Sequence, residues 1–177
     1  MKVDIFSFFC IGLLGTLLLY SYYYYGTTNK KNADKLWGGI NSYLKTFYII
    51  SMCLSAIGFL TLLSYLFKST SLTSLQASHI VIGLVCIIIF SLFWMPLSLY
   101  YLKNGSSSLS IQYTIIAVLL SVAFASLYSL TLINNIKEKT NTIHKQIAVI
   151  GMSYFFFHTF VLDSLLWSYK FFTPLDI

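Results

Sequence analysis

The chain is 177 residues long, 58% apolar and 9% charged, and its net charge of +6 rests on lysine alone, since arginine is absent. So little charge leaves no stretch for a second globular domain beside an apolar one. The lysines stand at the borders of apolar runs, where they read as headgroup anchors with snorkelling stems rather than as a nucleic-acid surface.

Five stretches contain no Asp, Glu, Lys or Arg: residues 5–29, 46–67, 69–102, 104–136 and 146–162. An α-helix needs ~20 mostly apolar residues to cross ~30 Å of hydrocarbon. The pattern therefore predicts an all-α integral membrane bundle of five transmembrane helices, forming a single domain over 1–177 in contact with membrane lipids. Cys10, Cys53 and Cys86 fall in separate apolar runs without C-x-x-C spacing, which predicts neither a disulfide framework nor a zinc site.

Helix one is predicted at about 4–25. It is too long for a signal-peptide core and ends in the tyrosine-rich belt Tyr20-Ser21-Tyr22-Tyr23-Tyr24-Tyr25, where phenol rings sit at a membrane interface. A short interfacial helix follows between helices one and two. Asp34 is its predicted cap, and Leu36, Trp37, Ile40, Tyr43, Leu44 and Phe47 recur along one side.

Helix two is predicted at about 45–67 and helix three at about 78–102, with a kink at Pro96. Helix four spans about 109–133 and packs antiparallel to helix three through the short turn after Lys103, which contains the sequon Asn104-Gly105-Ser106. Helix five spans about 143–172, with Pro174 as its stop. His79 and His144, at helix starts, read as headgroup contacts. On helix four, Ala117, Ser121, Ala125 and Ser129 form a small-residue stripe that permits close backbone approach. It serves either packing within the bundle or a homodimer seam.

Asp163 is the acidic residue placed deep inside a predicted span. Such carboxyls cost ~2.5–3.5 kcal/mol on insertion scales and find a partner inside the bundle or at water. In α-helical geometry Thr159 and Trp167 share its face, whereas His158, five residues back, lies about 140° away and is no same-face partner. The functional reading makes Asp163 a polar anchor for a ligand or a proton site; the plain one makes it a hydrogen-bonded structural carboxyl. His158 divides in the same way, between a satisfied bundle histidine and a site residue. The patterns Leu62-x-x-Tyr65-x-x-Lys68 and Leu97-x-x-Tyr100-x-x-Lys103 match a proposed sterol-contact motif, which a leucine-rich helix ending in Tyr and Lys also meets by composition. No nucleophile–base spacing, phosphate loop, dinucleotide fingerprint or metal-ligand pair occurs, so the expectation is a non-enzymatic protein without cofactor or metal.

Three short stretches carry a resemblance. Leu54-Ser55-Ala56-Ile57-Gly58-Phe59 resembles the Leu-Tyr-Ser-x-Met-Gly stretch in the second helix of the translocator protein family, also called tryptophan-rich sensory proteins or peripheral benzodiazepine receptors. Trp94-Met95-Pro96, followed by aromatic residues and Lys103, resembles that family's Trp-Pro-Pro-x-Phe-Phe end of helix three. Asp163-x-x-x-Trp167 sits where the family carries Leu-Asn-x-x-x-Trp.

The resemblance implies a pocket inside the bundle for a tetrapyrrole, a sterol or another flat apolar ligand, shaped by Trp94, Pro96, Asp163 and Trp167; His158 completes the candidate site. The expected function is binding or transport of a small hydrophobic ligand. Two alternatives stand beside it: a membrane-embedded lipid- or sterol-modifying enzyme using Asp163, and a structural or assembly subunit without ligand.

Overall fold

The computed structural model describes residues 5–69, 71–104, 108–137 and 142–173. Asp4, the sequon's Gly105 and Ser106, the charged pair Glu138 and Lys139, and Pro174 lie outside the described residues. Five long helices make the bundle: α1 (Ile5–Thr28), α2 (Ser42–Lys68), α3 (Ser74–Asn104), α4 (Leu109–Asn134) and α5 (Thr142–Phe172). No strand occurs among the described residues. Each of the five is long and apolar enough to cross a membrane, and large apolar side chains such as Ile57, Leu60, Phe93 and Phe124 cover the outside of the bundle. This inside-out distribution fits a multi-pass membrane protein, for which lipid rather than water is the surrounding solvent.

The helices begin and end at chemistry that apolar runs do not reveal. Starting at Ser42, α2 is capped by Asn41, whose side chain accepts from the Leu44 N–H at 2.9 Å. At the start of α3, the Gln76 side chain accepts from the Thr73 N–H at 3.1 Å and the Thr73 hydroxyl from the Gln76 N–H at 3.3 Å. That reciprocal capping box starts the helix four residues before the predicted 78. The third helix continues through Pro96 as one element.

In space the helices run α1–α3–α4–α5–α2, through the pairings of α1 with α3, α3 with α4, α4 with α5 and α5 with α2. The edge contact of Phe8 with Phe67, at 5.4 Å between ring centroids, brings α2 back to α1. Glycines set the two closest crossings. A Cβ on Gly58 would fall on the Gly151 carbonyl, so α2 and α5 touch backbone to backbone. A Cβ on Gly83 would fall on the Ser129 hydroxyl, so α3 rests on α4. The stripe on α4 therefore divides: Ser129 is buried inside the bundle and Ala117 is exposed. His79 does not stand alone at an interface either, because its Nδ1 lies 2.5 Å from the Tyr128 hydroxyl of α4.

The core has two halves. One is largely aliphatic, with Leu62, Leu66, Ile80, Leu84, Ile133 and Met152 fully buried. The other is aromatic and contains Tyr48, Tyr101, Trp167 and Phe171 with Leu36 and Ile40 from the first connection. Tyr65 is buried in the first half, so the Leu62–Tyr65–Lys68 pattern cannot offer its tyrosine to a sterol in the surrounding lipid.

The short helical segment expected in the first connection is present, but its extent differs. It breaks into a single turn at Lys30–Ala33 and a 3-10 turn at Asp34–Trp37. Gly38 follows with φ +53, a left-handed conformation that favours glycine. Asp34 faces Lys45 at 3.8 Å. Tyr43 and Phe47 belong to α2 and point outward, whereas Leu36 and Ile40 turn into the bundle. The physical reason is the paired Gly38-Gly39, which lets the chain fold onto the end of α5.

Candidate functional site

Asp163 lies on a stretch of α5 wound as a π-helix, His158–Trp167. Three bonds mark the wider winding. The Ser164 hydroxyl donates to the Thr159 carbonyl at 2.8 Å, and the Ser168 hydroxyl and N–H both turn to the Asp163 carbonyl, five residues back. In an α-helix five residues rotate past a full turn by about 140°; an i→i+5 winding removes most of that offset. His158 Nε2 consequently stands 3.6 Å from Asp163 Oδ1, so the two share a face. This overturns the α-helical expectation for the pair, and π segments of this kind often accompany functional sites. Thr159, expected beside Asp163, instead donates to the carbonyls of Phe155 and Phe156.

Around the carboxyl a polar network joins α2 to α5. The Tyr48 hydroxyl donates to Asp163 Oδ1 at 2.7 Å. His158 Nδ1 meets the Ser51 hydroxyl at 2.8 Å, and Ser51 meets the Tyr154 hydroxyl at 2.9 Å. Tyr48 also packs edge-on against the His158 ring at 5.4 Å. Intramembrane polar groups that bond one another in this way hold helices together and fix their rotation. At 3.6 Å the His158–Asp163 approach is within reach of an ion pair but too long for a hydrogen bond.

Aromatic rings surround this network. Trp37 meets Tyr48 at 5.9 Å, Tyr22 meets Trp94 at 5.8 Å, and Trp94 meets Trp167 at 5.3 Å, all edge-on. The Tyr22 hydroxyl donates to the Ser91 carbonyl of α3 at 3.2 Å. The first connection closes this end. Trp167 Nε1 donates to the Leu36 carbonyl at 2.8 Å and the Gly39 N–H to the Lys170 carbonyl at 3.0 Å. A Cβ on Gly38 would sit 2.7 Å from both that carbonyl and the Phe171 Cα, so the strap tolerates only glycine there.

Among the described residues, two buried polar atoms have no partner: Trp94 Nε1 and the Ser55 hydroxyl. Ser55 lies one turn beyond Ser51 on the face of α2 that meets α5. A buried donor left unsatisfied costs ~1–3 kcal/mol, and such an atom calls for a water, an ion or a ligand to explain it. The carboxyl is incompletely used as well. Its contacts with Tyr48 and His158 both involve Oδ1, and its side chain remains 27% exposed.

Of the residues expected from sequence, Trp94, His158, Asp163 and Trp167 thus gather at one end of the bundle. Pro96, two residues after Trp94 and so roughly 200° around α3, is half-buried and makes no hydrogen bond or ring contact with the cluster. Tyr22, Tyr48, Ser51 and Tyr154 were not foreseen. A signal for two of them exists in α2, where Tyr48, Ser51, Ser55, Gly58, Leu62 and Tyr65 recur every three or four residues and are all buried. The open depression lined by Thr27 to Asn32 includes none of these residues. No protein-family profile, curated protein or solved structure matches this chain.

Proposed function

We propose that this chain is a multi-pass membrane protein that binds or carries a small hydrophobic molecule at its aromatic end, without transforming it. The observation that carries the reading is the buried, unpartnered Trp94 N–H, on a ring that meets Tyr22 and Trp167, in the same aromatic half as the Tyr48 that bonds the partly exposed Asp163 carboxyl. A ligand site of this type is mostly apolar, with a few convergent polar groups that fix orientation. The flat rings suit a tetrapyrrole or sterol-like body, the class implied by the translocator protein resemblance. Trp94, His158, Asp163 and Trp167 would contact it, while Pro96 shapes α3. The test is titration of the protein in nanodiscs with protoporphyrin while reading tryptophan emission. Saturable quenching that weakens in Trp94→Phe is expected; purely linear quenching in both proteins would end the proposal.

A second reading is favoured by one specific arrangement. Ser51, His158 and Asp163 stand in the order of nucleophile, base and orienting carboxyl, with the first pair at 2.8 Å. Against it, Ser51 has no exposed surface and the base–carboxyl pair is not hydrogen-bonded. A lipid-modifying enzyme built on this serine would be labelled by a fluorophosphonate, and Ser51→Ala would abolish the label. The binding reading expects no label in either protein. The assembly alternative retains only part of its seam, because Ser129 is already packed on Gly83.

A further inference from the structure

We infer that the Asp163 site takes a lipophilic amine, holding its basic nitrogen between the unused carboxyl oxygen and the neighbouring aromatic rings. The inference rests on the hydrophobic-ligand reading above and adds the chemistry of the ligand's polar end.

The first ground is a loosely held counter-charge. Of the chain's eleven lysines, none among the described residues is an ion-pair partner of Asp163, whose partner there is His158. Its neighbour His158 is already engaged through Nδ1 by Ser51 and stands beyond hydrogen-bond distance. A carboxyl placed in an apolar bundle at a cost of several kcal/mol, and faced by an imidazole that stands beyond hydrogen-bond distance, has capacity for a closer cation that arrives from outside.

The second ground is the second oxygen. Tyr48 and His158 both address Oδ1, and the exposed part of the side chain leaves room for another donor at Oδ2. A charge-assisted N–H···O bond is about twice as strong as a neutral one. The third ground is the ring set. Tyr48 is bonded to the carboxyl and touches Trp37; in the same half of the bundle Tyr22 touches Trp94, which touches Trp167. Ring faces attract an alkylated ammonium through their quadrupoles, most strongly where water is excluded. A neutral alcohol would use the carboxyl but gain nothing comparable from the rings. An amine uses both.

The proton balance favours entry from lipid. A neutral amine dissolved in the bilayer can accept the proton of a protonated Asp163, or an ammonium can meet the carboxylate directly. Either route ends in the same ion pair, which is neutral as a whole.

The experiment uses two fluorescent probes of equal shape, (dimethylaminomethyl)pyrene and isobutylpyrene, which differ in a nitrogen replacing a carbon–hydrogen group. Energy transfer from tryptophan to pyrene is read in nanodiscs of zwitterionic lipid. In the native protein the amine should show saturable transfer with an affinity at least about tenfold above that of the hydrocarbon. Asp163→Asn should remove that difference while the hydrocarbon's signal is unchanged. Equal saturable binding of the two probes by the native protein would overturn the amine inference and leave the hydrophobic-ligand reading standing. Absence of saturable transfer with both would remove both. The native-protein comparison decides the matter even if Asp163→Asn fails to fold.

Discussion

The two halves of the bundle solve the same problem in different ways. In the aliphatic half, the hydroxyls of Thr61 and Ser129 turn back on their own helices, to the Gly58 and Ala125 carbonyls, and the cross-helix contact of His79 with Tyr128 lies at the exposed margin. The space between helices is then filled by Leu62, Leu66, Ile80, Leu84 and Met152, all at or below 1% exposure. In the aromatic half, polar groups reach across: Tyr48 to Asp163, Ser51 to His158, Trp167 to the backbone at Leu36. The first arrangement is a core closed by aliphatic packing. The second leaves the Trp94 N–H unsatisfied and a carboxyl partly open. A closed core and an incompletely satisfied polar network thus occupy different parts of one bundle.

Substitutions should expose that separation. The largest effect is expected at the crossing both halves depend on. Gly151→Leu would drive a side chain into Thr61 and the Gly58 backbone, and the protein should elute from size exclusion in detergent as aggregate rather than as a single species. Next, Leu84→Ala in the aliphatic half should cost about 2–5 kcal/mol through the cavity it leaves. A denaturant titration should register that loss, while the porphyrin-quenching midpoint stays where it was.

All three tryptophans, Trp37, Trp94 and Trp167, lie in or against the aromatic half, so their emission reports on that half alone. Gly38→Ala forces a left-handed backbone and a clash with the Lys170 carbonyl, at about 1–3 kcal/mol. It should shift tryptophan emission by loosening the strap while hydrogen exchange at Ile80–Ile88 stays unchanged. The smallest effect is expected for Tyr48→Phe. A hydrogen bond across helices in a membrane protein averages about 0.6 kcal/mol and reaches about 1.7, so a shallow loss of stability should accompany a marked change in amine affinity.

Much of the architecture was legible because hydrocarbon imposes a length and forbids charge: five charge-free runs became five helices. Their ends were less legible, since the Thr73–Gln76 box and the Asn41 cap act through side-chain bonds that apolar content does not register. The extent of the helical segment after α1 was misread because its apolar spacing resembles an amphipathic helix, while Gly38 breaks it.

At the site, Asp163 and the tryptophans stood out as rarities, but their partners did not. Tyr48 is 115 positions from Asp163 and Ser51 is 107 from His158, and only folding brings them together. The π winding was the least visible feature. A change of hydrogen-bond partner from the fourth to the fifth residue alters no composition and no hydropathy, yet it places His158 beside Asp163.

The separation of the halves can be tested most directly with a photoactivatable hydrophobic amine in nanodiscs, its adducts mapped by mass spectrometry. Competable adducts on Tyr22, Tyr48 and Trp94, with none on Leu62, Leu84 or Met152, are the predicted result. Adducts confined to outward residues such as Ile57, Leu60 and Phe124, undiminished by excess unlabelled amine, would contradict a ligand site in the aromatic half.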